Sequence, residues 1–188
     1  MEINISKAIE LLKKGDVTVY PTETAYALGC DATNKDAIAN IFKLKRRILS
    51  KTSPIIASSL EQALDYVEIS EQALVLAKKY WPGPLTIVLK AKKDLPKEIL
   101  NENKELAIRV SSHKVPLELT KKLGRPIVST SANIAGGSTC YKIENVKEQL
   151  GEDIFYIDGG ELEKNKPSTV VRVNENDIEV LRQGDIKI

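Results

Sequence analysis

The chain has 188 residues, of which 42% are hydrophobic and 29% are charged, a composition typical of a folded protein and not of a disordered one. This length can bury a continuous core without disulfides or a structural metal, so we expect one domain over residues 1–188. Lysine and arginine exceed aspartate and glutamate by only 28 to 26, so the net charge does not indicate nucleic-acid or membrane binding.

The first half of the chain alternates helical and extended patterns. Apolar residues at helical spacing from Ile5 to Leu12 predict a helix that begins at an Asn4 or Ser6 cap and ends at Gly15. The elements predicted next are a strand over 17–20, a helix around 38–42, a strand over 54–57, a helix over 60–66, a helix that Ser70 caps and that ends near Tyr80, and a strand over 85–89.

The second half continues this alternation. Its predicted elements are a strand over 106–110, a helix with Pro116 in its first turn, a strand over 126–129, a helix over 143–150, and strands over 154–157, 169–173 and 178–181. Helices separate some of these strands, whereas only a short polar turn separates the last two. We therefore predict an α/β fold with a mixed sheet.

The cysteines and the apolar segments exclude several classes. Cys30 and Cys140 have neither CxxC spacing nor a cluster of histidines beside them, which argues against a zinc ribbon or a redox pair, and we expect two buried free thiols. No apolar run reaches the roughly 18 residues of a membrane span, and the N-terminus lacks a signal-peptide pattern. These observations predict a cytoplasmic protein without membrane contact.

Hydroxyl groups and an acid follow the first predicted strand. Residues 21–29 read Pro-Thr-Glu-Thr-Ala-Tyr-Ala-Leu-Gly, so Glu23 and the threonines beside it would project from a strand end, where ligands commonly bind. The alternative is an ordinary turn that Pro21 begins and in which the threonines bond to nearby backbone.

A cluster of positive charge follows the second predicted helix. Arginine suits bidentate contacts to phosphate or carboxylate, so this cluster predicts an anion site. The alternative is a solvated helix C-terminus that the helix dipole favours. The five residues lie within nine positions that contain no acid: Lys43, Lys45, Arg46, Arg47 and Lys51.

Small and hydroxyl residues follow the strand predicted over 126–129. Ser-Thr-Ser-Ala-Asn occupies 129–133 and Gly-Gly-Ser-Thr occupies 136–139, and such residues let backbone amides approach phosphate oxygens closely. A plain surface loop is the alternative. Neither a Walker A sequence nor G-x-G-x-x-G occurs, so a nucleotide would need a different arrangement.

The single histidine and the single tryptophan offer weaker indications. His113 lies near a predicted strand end, but the absence of a G-x-S-x-G elbow disfavours nucleophilic Ser-His catalysis and leaves a structural role as the main alternative. Trp81 precedes Pro-Gly-Pro, and we expect it to anchor the preceding helix in the core.

Seven segments, taken in order, resemble the YrdC-like family of threonylcarbamoyl-AMP synthases in its short, single-domain form. They span nearly the whole chain: PTETAYALG at 21–29, IFKLKRR at 41–47, WPGPLTIVL at 81–89, STSAN at 129–133, DGG at 158–160, STVV at 168–171 and LRQG at 181–184. The resemblance implies a twisted mixed β-sheet with flanking helices and a deep, positively charged groove.

The resemblance also implies a function. It is that of a nucleotidyltransferase which forms threonylcarbamoyl-AMP and pyrophosphate from L-threonine, bicarbonate and ATP, and supplies the t6A modification of tRNA through a separate transferase machinery. Mg²⁺ would accompany ATP, held mainly by phosphates and water because no carboxylate cluster is visible. The alternative is a non-catalytic module of the same fold that binds double-stranded RNA or tRNA, although the sequence offers no aromatic stacking platform.

The same resemblance implies which residues form the site. The threonine side would comprise Thr22, Thr24, Tyr26, Arg109, Ser129 and Ser168. The nucleotide side would comprise Lys45, Arg47, Ser131, Asn133, Thr139 and Arg182. Lys45 and Arg47 match the family's K-x-R and are the predicted catalytic residues. The chain departs from the family pattern at Ile48 after K-x-R, at Ala25 and Ala27, and at Ser111, which stands where R-x-P-x-H has proline.

Overall fold

The computed structural model describes residues 2–46, 52–93, 95–174 and 177–188. Arg47 and Lys51 of the basic cluster, and Ile48, lie outside the described residues. The α-helices are α1 Glu2–Lys14, α2 Lys35–Leu44, α3 Leu60–Leu64, α4 Glu71–Tyr80, α5 Lys114–Leu123 and α6 Ile143–Leu150, with a 3-10 turn at Lys97–Ile99. The strands are β1 Thr18–Pro21, β2 Tyr26–Gly29, β3 Ile55–Ala57, β4 Leu85–Lys90, β5 Glu105–Val110, β6 Ile127–Val128, β7 Thr130–Ser131, β8 Phe155–Tyr156, β9 Thr169–Val173 and β10 Ile178–Arg182.

Within the described residues the strands form two sheets, where the sequence predicted one mixed sheet. One sheet has four strands in the order β7-β2-β1-β8, and the other has six in the order β10-β9-β4-β5-β3-β6. Each combines parallel and antiparallel pairs: β1 is antiparallel to β2 and parallel to β8, and β4 is antiparallel to β5 and parallel to β9. The mixed α/β class is thereby confirmed.

The second sheet was missed because β2 follows β1 through a tight turn. Residues 26–29 are fully buried and pair with β1 from Pro21 opposite Tyr26 to Thr18 opposite Gly29. Gly29 is required there, since a Cβ atom would lie 2.2 Å from the Val128 carbonyl oxygen and 2.8 Å from the Tyr20 hydroxyl. This hairpin forms its own sheet with β7 and β8.

Two of the predicted helix ends, a polar cap and a glycine, are confirmed. Ser70 caps α4 by accepting a hydrogen bond from the Ala73 amide at 3.3 Å, and Gly15 follows α1 with a φ of 87°, a conformation that glycine adopts without strain. The N-cap predicted for α1 was wrong, because the helix already begins at Glu2 and contains both Asn4 and Ser6.

Buried apolar residues form two groups that fix the sheets and helices together. The larger group contains Leu28 of β2, Ile38 of α2 and Ile87 of β4. The smaller one joins Ile5 of α1 to Leu119 of α5. Burying a side chain of this size contributes about 1.5–3 kcal/mol to folding. The strand ends that carry the polar segments are therefore held on a rigid frame.

Three further expectations concern the cysteines, Trp81 and membrane-spanning helices. Cys30 and Cys140 are buried free thiols, as predicted. Trp81 packs against the larger apolar group, and its indole N–H donates to the Leu85 carbonyl at 2.7 Å, which fixes the turn between α4 and β4. Among the described residues, we find no helix with the length and apolar character to cross a membrane.

Candidate functional site

A cavity of about 440 Å³ lies where the ends of strands from both sheets meet. We refer to it as the site cavity. The β1–β2 hairpin supplies one wall, and the ends of β5, β6, β9 and β10 supply the others. The described residues that line it are Thr22, Thr24, Ala25, Tyr26, Ala27, Thr52, Pro54, Arg109, Ser129, Thr130, Ser131, Thr139, Tyr141, Asn165, Pro167, Ser168 and Arg182.

The site cavity brings together most of the residues that the sequence nominated. All six residues of the predicted threonine side line it, and so do three of the predicted nucleotide side: Ser131, Thr139 and Arg182. Lys45 and Asn133 lie directly behind Ser131, within hydrogen-bonding distance of it. Arg47 lies outside the described residues, so its role stays a prediction.

In the hairpin turn, the Thr22 hydroxyl bonds to the backbone, whereas the Thr24 hydroxyl is available to a ligand. The Thr22 hydroxyl donates to the Ala25 carbonyl at 2.7 Å and accepts from the amides of Thr24 and Ala25, both at 3.2 Å. The expectation that threonines bond to nearby backbone therefore holds for Thr22. The Thr24 hydroxyl lies 3.0 Å from that of Thr22 and lines the cavity, so it is the hydroxyl available to a ligand.

Tyr26 shapes the site cavity with its ring, because its hydroxyl is engaged on the far side. That hydroxyl donates to the Gly160 carbonyl at 2.8 Å and accepts from the Gly159 amide at 2.9 Å. Burial, with Asp158 nearby, raises the pKa of Tyr26 to about 12. The Asp-Gly-Gly segment at 158–160 is therefore the support of this ring.

Arg109 supplies buried positive charge from β5. The residue is 6% exposed, and its Nη1 atom pairs with Glu23 of the hairpin turn. The Ser111 hydroxyl donates to the second carboxylate oxygen of Glu23. This contact joins the four-stranded sheet to the six-stranded one at the edge of the cavity.

His113 has a structural role. It precedes α5 as its N-cap, and its Nδ1 atom accepts from the Val115 amide at 3.2 Å. Burial lowers the pKa of His113, against the opposing effect of Glu23. The imidazole is neutral when Nδ1 accepts this bond, and His113 does not belong to the described lining of the site cavity.

Arg182 and Ser168 form a second polar group opposite Arg109. Arg182 donates from Nε to the Ser168 carbonyl at 2.9 Å and from Nη2 to the Ser168 hydroxyl at 2.8 Å. The Thr86 hydroxyl lies 2.9 Å from the same Ser168 hydroxyl. Burial and, to a smaller extent, the charge of Arg109 lower the pKa of Arg182, so two guanidinium groups act on the same space.

Lys45 differs from the solvated cation that a helix C-terminus would carry. It is 3% exposed, and its Nζ atom donates to the carbonyl oxygens of Ser131 and Asn133, the latter at 2.7 Å. It also lies 3.3 Å from Asn133 Oδ1. The ammonium thus binds the segment at 129–133 to the end of α2, whereas Lys43 and Arg46 are exposed.

The loop after β7 is fixed by amide side chains. Asn133 donates from Nδ2 to the Gly137 carbonyl at 2.6 Å. Gln149 of α6 accepts from the Ile134 amide at 3.3 Å and donates to the Ser138 carbonyl at 3.1 Å. These contacts place Thr139 at the cavity wall.

Comparison with known proteins identifies the family. The Sua5/YciO/YrdC family, described as "Telomere recombination", matches residues 10–184. The chain belongs to this family. Its match to P. abyssi Sua5 complexed with L-threonine has a TM-score of 0.90 and 35% identity, and covers 96% of this chain and 54% of that one. The match to E. coli YciO has a TM-score of 0.88 and 31% identity, and covers 98% and 91%.

Curated relatives of the Sua5/YciO/YrdC domain carry an enzyme name. A protein of Vibrio campbellii is 34% identical over 96% of this chain and 99% of its own length. Another, from Vibrio vulnificus, is 35% identical over 98% of this chain and 100% of its own length. Both are named threonylcarbamoyl-AMP synthase.

Sequence reasoning missed three contributors to the site of this Sua5/YciO/YrdC domain. Glu23 was seen only as an acid at a strand end, although it pairs with Arg109. Tyr141 and Asn165 line the cavity, and Asn165 donates from Nδ2 to the Glu23 carbonyl at 3.1 Å. The acid beside two threonines was a signal for Glu23, whereas Asn165 lies in a Lys-rich stretch without any repeating pattern.

Proposed function

We propose that the protein is a threonylcarbamoyl-AMP synthase. The threonine amine and bicarbonate give a carbamate with loss of water, and a carbamate oxygen then attacks the α-phosphorus of ATP and displaces pyrophosphate. The observation that carries the proposal is the convergence of nine nominated residues on one cavity that contains Arg109 and Arg182. The names of relatives that match this chain over nearly their whole length support it.

The amino acid fits the Arg109 side of the site cavity. A guanidinium pairs well with a carboxylate through charge-assisted hydrogen bonds, and Arg109 is the lining arginine that an acid already orients. The hydroxyls of Thr24, Ser129 and Ser168 surround the same space and suit the amine, hydroxyl and carbamate groups of the substrate. P. abyssi Sua5, which is 35% identical to this chain, has been solved in complex with L-threonine, and this supports an amino acid as the substrate.

The nucleotide fits the side formed by β7, the loop after it and β10. Ser131 and Thr139 offer hydroxyls, and Arg182 offers positive charge to the triphosphate. Lys45 holds the backbone of this wall and adds its charge from behind, and we assign Arg47 to the phosphates as well. Stabilisation of developing negative charge by fixed cations and hydroxyls is the catalytic effect available here.

Magnesium would enter with ATP and offset phosphate charge. The described residues contain no group of three or more acids, histidines or cysteines that could hold a metal ion, and Glu23 is engaged by Arg109 and Ser111. We therefore assign Mg²⁺ to phosphate oxygens and water, the arrangement this ion favours with nucleotides.

The test uses the purified protein without partners. Incubation with ATP, L-threonine and bicarbonate should release pyrophosphate and form threonylcarbamoyl-AMP, detected by mass spectrometry, and omission of any one substrate should abolish the product. Absence of product under these conditions would contradict the proposal. The product would serve a separate transferase that completes t6A on tRNA, so addition of that machinery and tRNA should consume it.

A further inference from the structure

Glu23 pairs with Arg109 at the wall of the site cavity. Arg109 lines the cavity, and Glu23 is not among the described residues of its wall. The exposed fractions of the two side chains are 7% for Arg109 and 14% for Glu23. The carboxylate therefore engages Nη1, one of the three guanidinium nitrogens, of an arginine that lines the site cavity.

The pairing also compensates a local excess of positive charge. Arg109 contributes to lowering the pKa of Arg182, so the two guanidinium groups repel each other. In the described part of the chain, Glu23 is the acid that pairs with Arg109. Without it, Arg109 would be a buried charge beside a second cation, and rotation away from Arg182 would relieve the repulsion.

Besides the ion pair with Arg109, two contacts fix Glu23 itself. The Ser111 hydroxyl, which is fully buried, donates to Oε2 and accepts from the His113 amide at 3.2 Å. Asn165 holds the Glu23 carbonyl from the other side. Ser111 therefore holds the carboxylate of Glu23 and connects it to the start of α5.

We propose that Glu23, held by Ser111, is a positioning residue that orients Arg109 and thereby sets the preference of the site cavity for an amino acid with a free carboxylate. The proposal rests on the proposed function, which assigns the substrate carboxylate to Arg109. A carboxylate ligand needs the guanidinium at one orientation, whereas a ligand without that charge does not. Loss of Glu23 should therefore weaken the first kind of ligand selectively.

The experiment compares L-threonine with L-threoninamide, which keeps the side chain and the amine but lacks the carboxylate. Dissociation constants are measured by calorimetry for the wild type, Glu23→Gln, Ser111→Ala and the control Glu118→Gln. The control removes a partly exposed acid of α5 that pairs with Lys122 at 2.7 Å. Glu23→Gln should weaken threonine binding about tenfold, the equivalent of one charge-assisted hydrogen bond, and should leave threoninamide binding nearly unchanged.

The other outcomes are equally decisive. Ser111→Ala should also weaken threonine binding relative to threoninamide binding, by a smaller factor. If Glu23→Gln does not fold, Ser111→Ala provides the test. Equal losses of affinity for L-threonine and L-threoninamide in both variants would show that Glu23 has only a structural role, and would overturn the proposal. Tighter threonine binding in Glu23→Gln would overturn it too, because Glu23 would then compete with the substrate. Failure of the proposed function is distinct: the wild type itself would bind no threonine and release no pyrophosphate.

Discussion

The Lys45 ammonium connects two segments that are far apart in the chain. It lies at the end of α2 and holds the carbonyls of Ser131 and Asn133, so its charge stabilises the wall of the site cavity as well as any phosphate beside it. A buried cation with backbone acceptors is a strong local contact, because removing it takes a charged donor from the Asn133 carbonyl and one of two donors from the Ser131 carbonyl.

Replacement of Lys45 by methionine tests this contact at the level of stability. Methionine keeps most of the aliphatic stem and removes the ammonium, so the free energy of unfolding should fall by about 2–3 kcal/mol, measured by urea denaturation. Lys43→Ala is the matched control on the same helix, since Lys43 is exposed, and should change stability by less than about 0.5 kcal/mol. Similar small changes in both variants would show that the Lys45 contacts are energetically unimportant.

Tyr26 gives a prediction with a defined pH dependence. Tyr26→Phe leaves the Gly159 amide and the Gly160 carbonyl without their partner, which should lower the free energy of unfolding by about 1–3 kcal/mol at pH 8. The pKa of Tyr26 is raised from 10.0 to about 12. The unfolded chain therefore ionises first, and the contribution of the hydroxyl is complete below pH 10 and is lost as the pH rises toward 12.

The measurement is the difference in unfolding free energy between wild type and Tyr26→Phe at several pH values. Taking this difference cancels the titration of all other groups. It should shrink between pH 10 and 12, and Tyr80→Phe, which removes an exposed hydroxyl contact to the Lys187 carbonyl, is the control for loss of a tyrosine hydroxyl. A constant difference over this range would contradict the assignment.

At the scale of single residues, the sequence predicted which side chains belong to the site better than it predicted which residues contact one another. The family resemblance nominated Arg109 and Arg182, and both line the site cavity. The partner of Arg109 could not be predicted, since Glu23 reaches it only because the β1–β2 hairpin and β5 belong to different sheets that meet there. A contact between distant segments depends on packing, which a single sequence does not display.

At the scale of elements, α6 controls the loop that carries Thr139. Gln149 contacts this loop at the Ile134 amide and the Ser138 carbonyl and lies 3.2 Å from Cys140 Sγ. A Cβ atom at Gly137 would lie 2.3 Å from Gln149 Oε1, so glycine permits this close approach. The helix thus sets the loop geometry through one side chain.

Gln149→Leu should therefore act on the nucleotide side only. Leucine has similar volume but cannot hold the loop, and loss of two neutral hydrogen bonds should raise the KM for ATP about fivefold to tenfold. The KM for threonine should stay within about twofold, since the contacts on the Arg109 side are untouched. Glu148→Gln, at the exposed neighbouring position, is the control. A parallel rise of both KM values would show that α6 supports the whole cavity.

Elements with a helical period or an apolar run were predicted, including the short strands β3, β6 and β8, whereas β2 and β7 were not. The boundaries expected for the helix that Ser70 caps and for β9 agree with Glu71–Tyr80 and Thr169–Val173. β2 and β7 have four and two residues, which is too short for a pattern of period two to stand out from a loop. Their pairing with each other depends on a turn and on distant neighbours, so the four-stranded sheet was missed.

At the scale of the whole molecule, the site cavity lies at one end of the six-stranded sheet. β4 begins beside it, since Thr86 contacts Ser168, and β5 ends beside it at Arg109. The opposite ends of these strands meet at Lys90 and Glu105. A ligand in the cavity would touch both sheets at once, through the β1–β2 hairpin on one side and through β5 on the other.

Hydrogen exchange with threonine bound tests this arrangement. A ligand that contacts both sheets stabilises the folded state of both against local unfolding. At a concentration of 100 times Kd, it can slow the exchange of amides that exchange by unfolding of the ligand-binding region by up to about 100-fold. Slowing should therefore occur in the turn at 22–25 and also at the end of β5. The Glu68 amide, bonded to the Lys90 carbonyl at 2.8 Å, is an internal reference at the far end and should slow far less. Protection of the hairpin alone, with β5 unchanged, would place the amino acid away from Arg109, because a carboxylate held by that guanidinium cannot leave its strand unaffected.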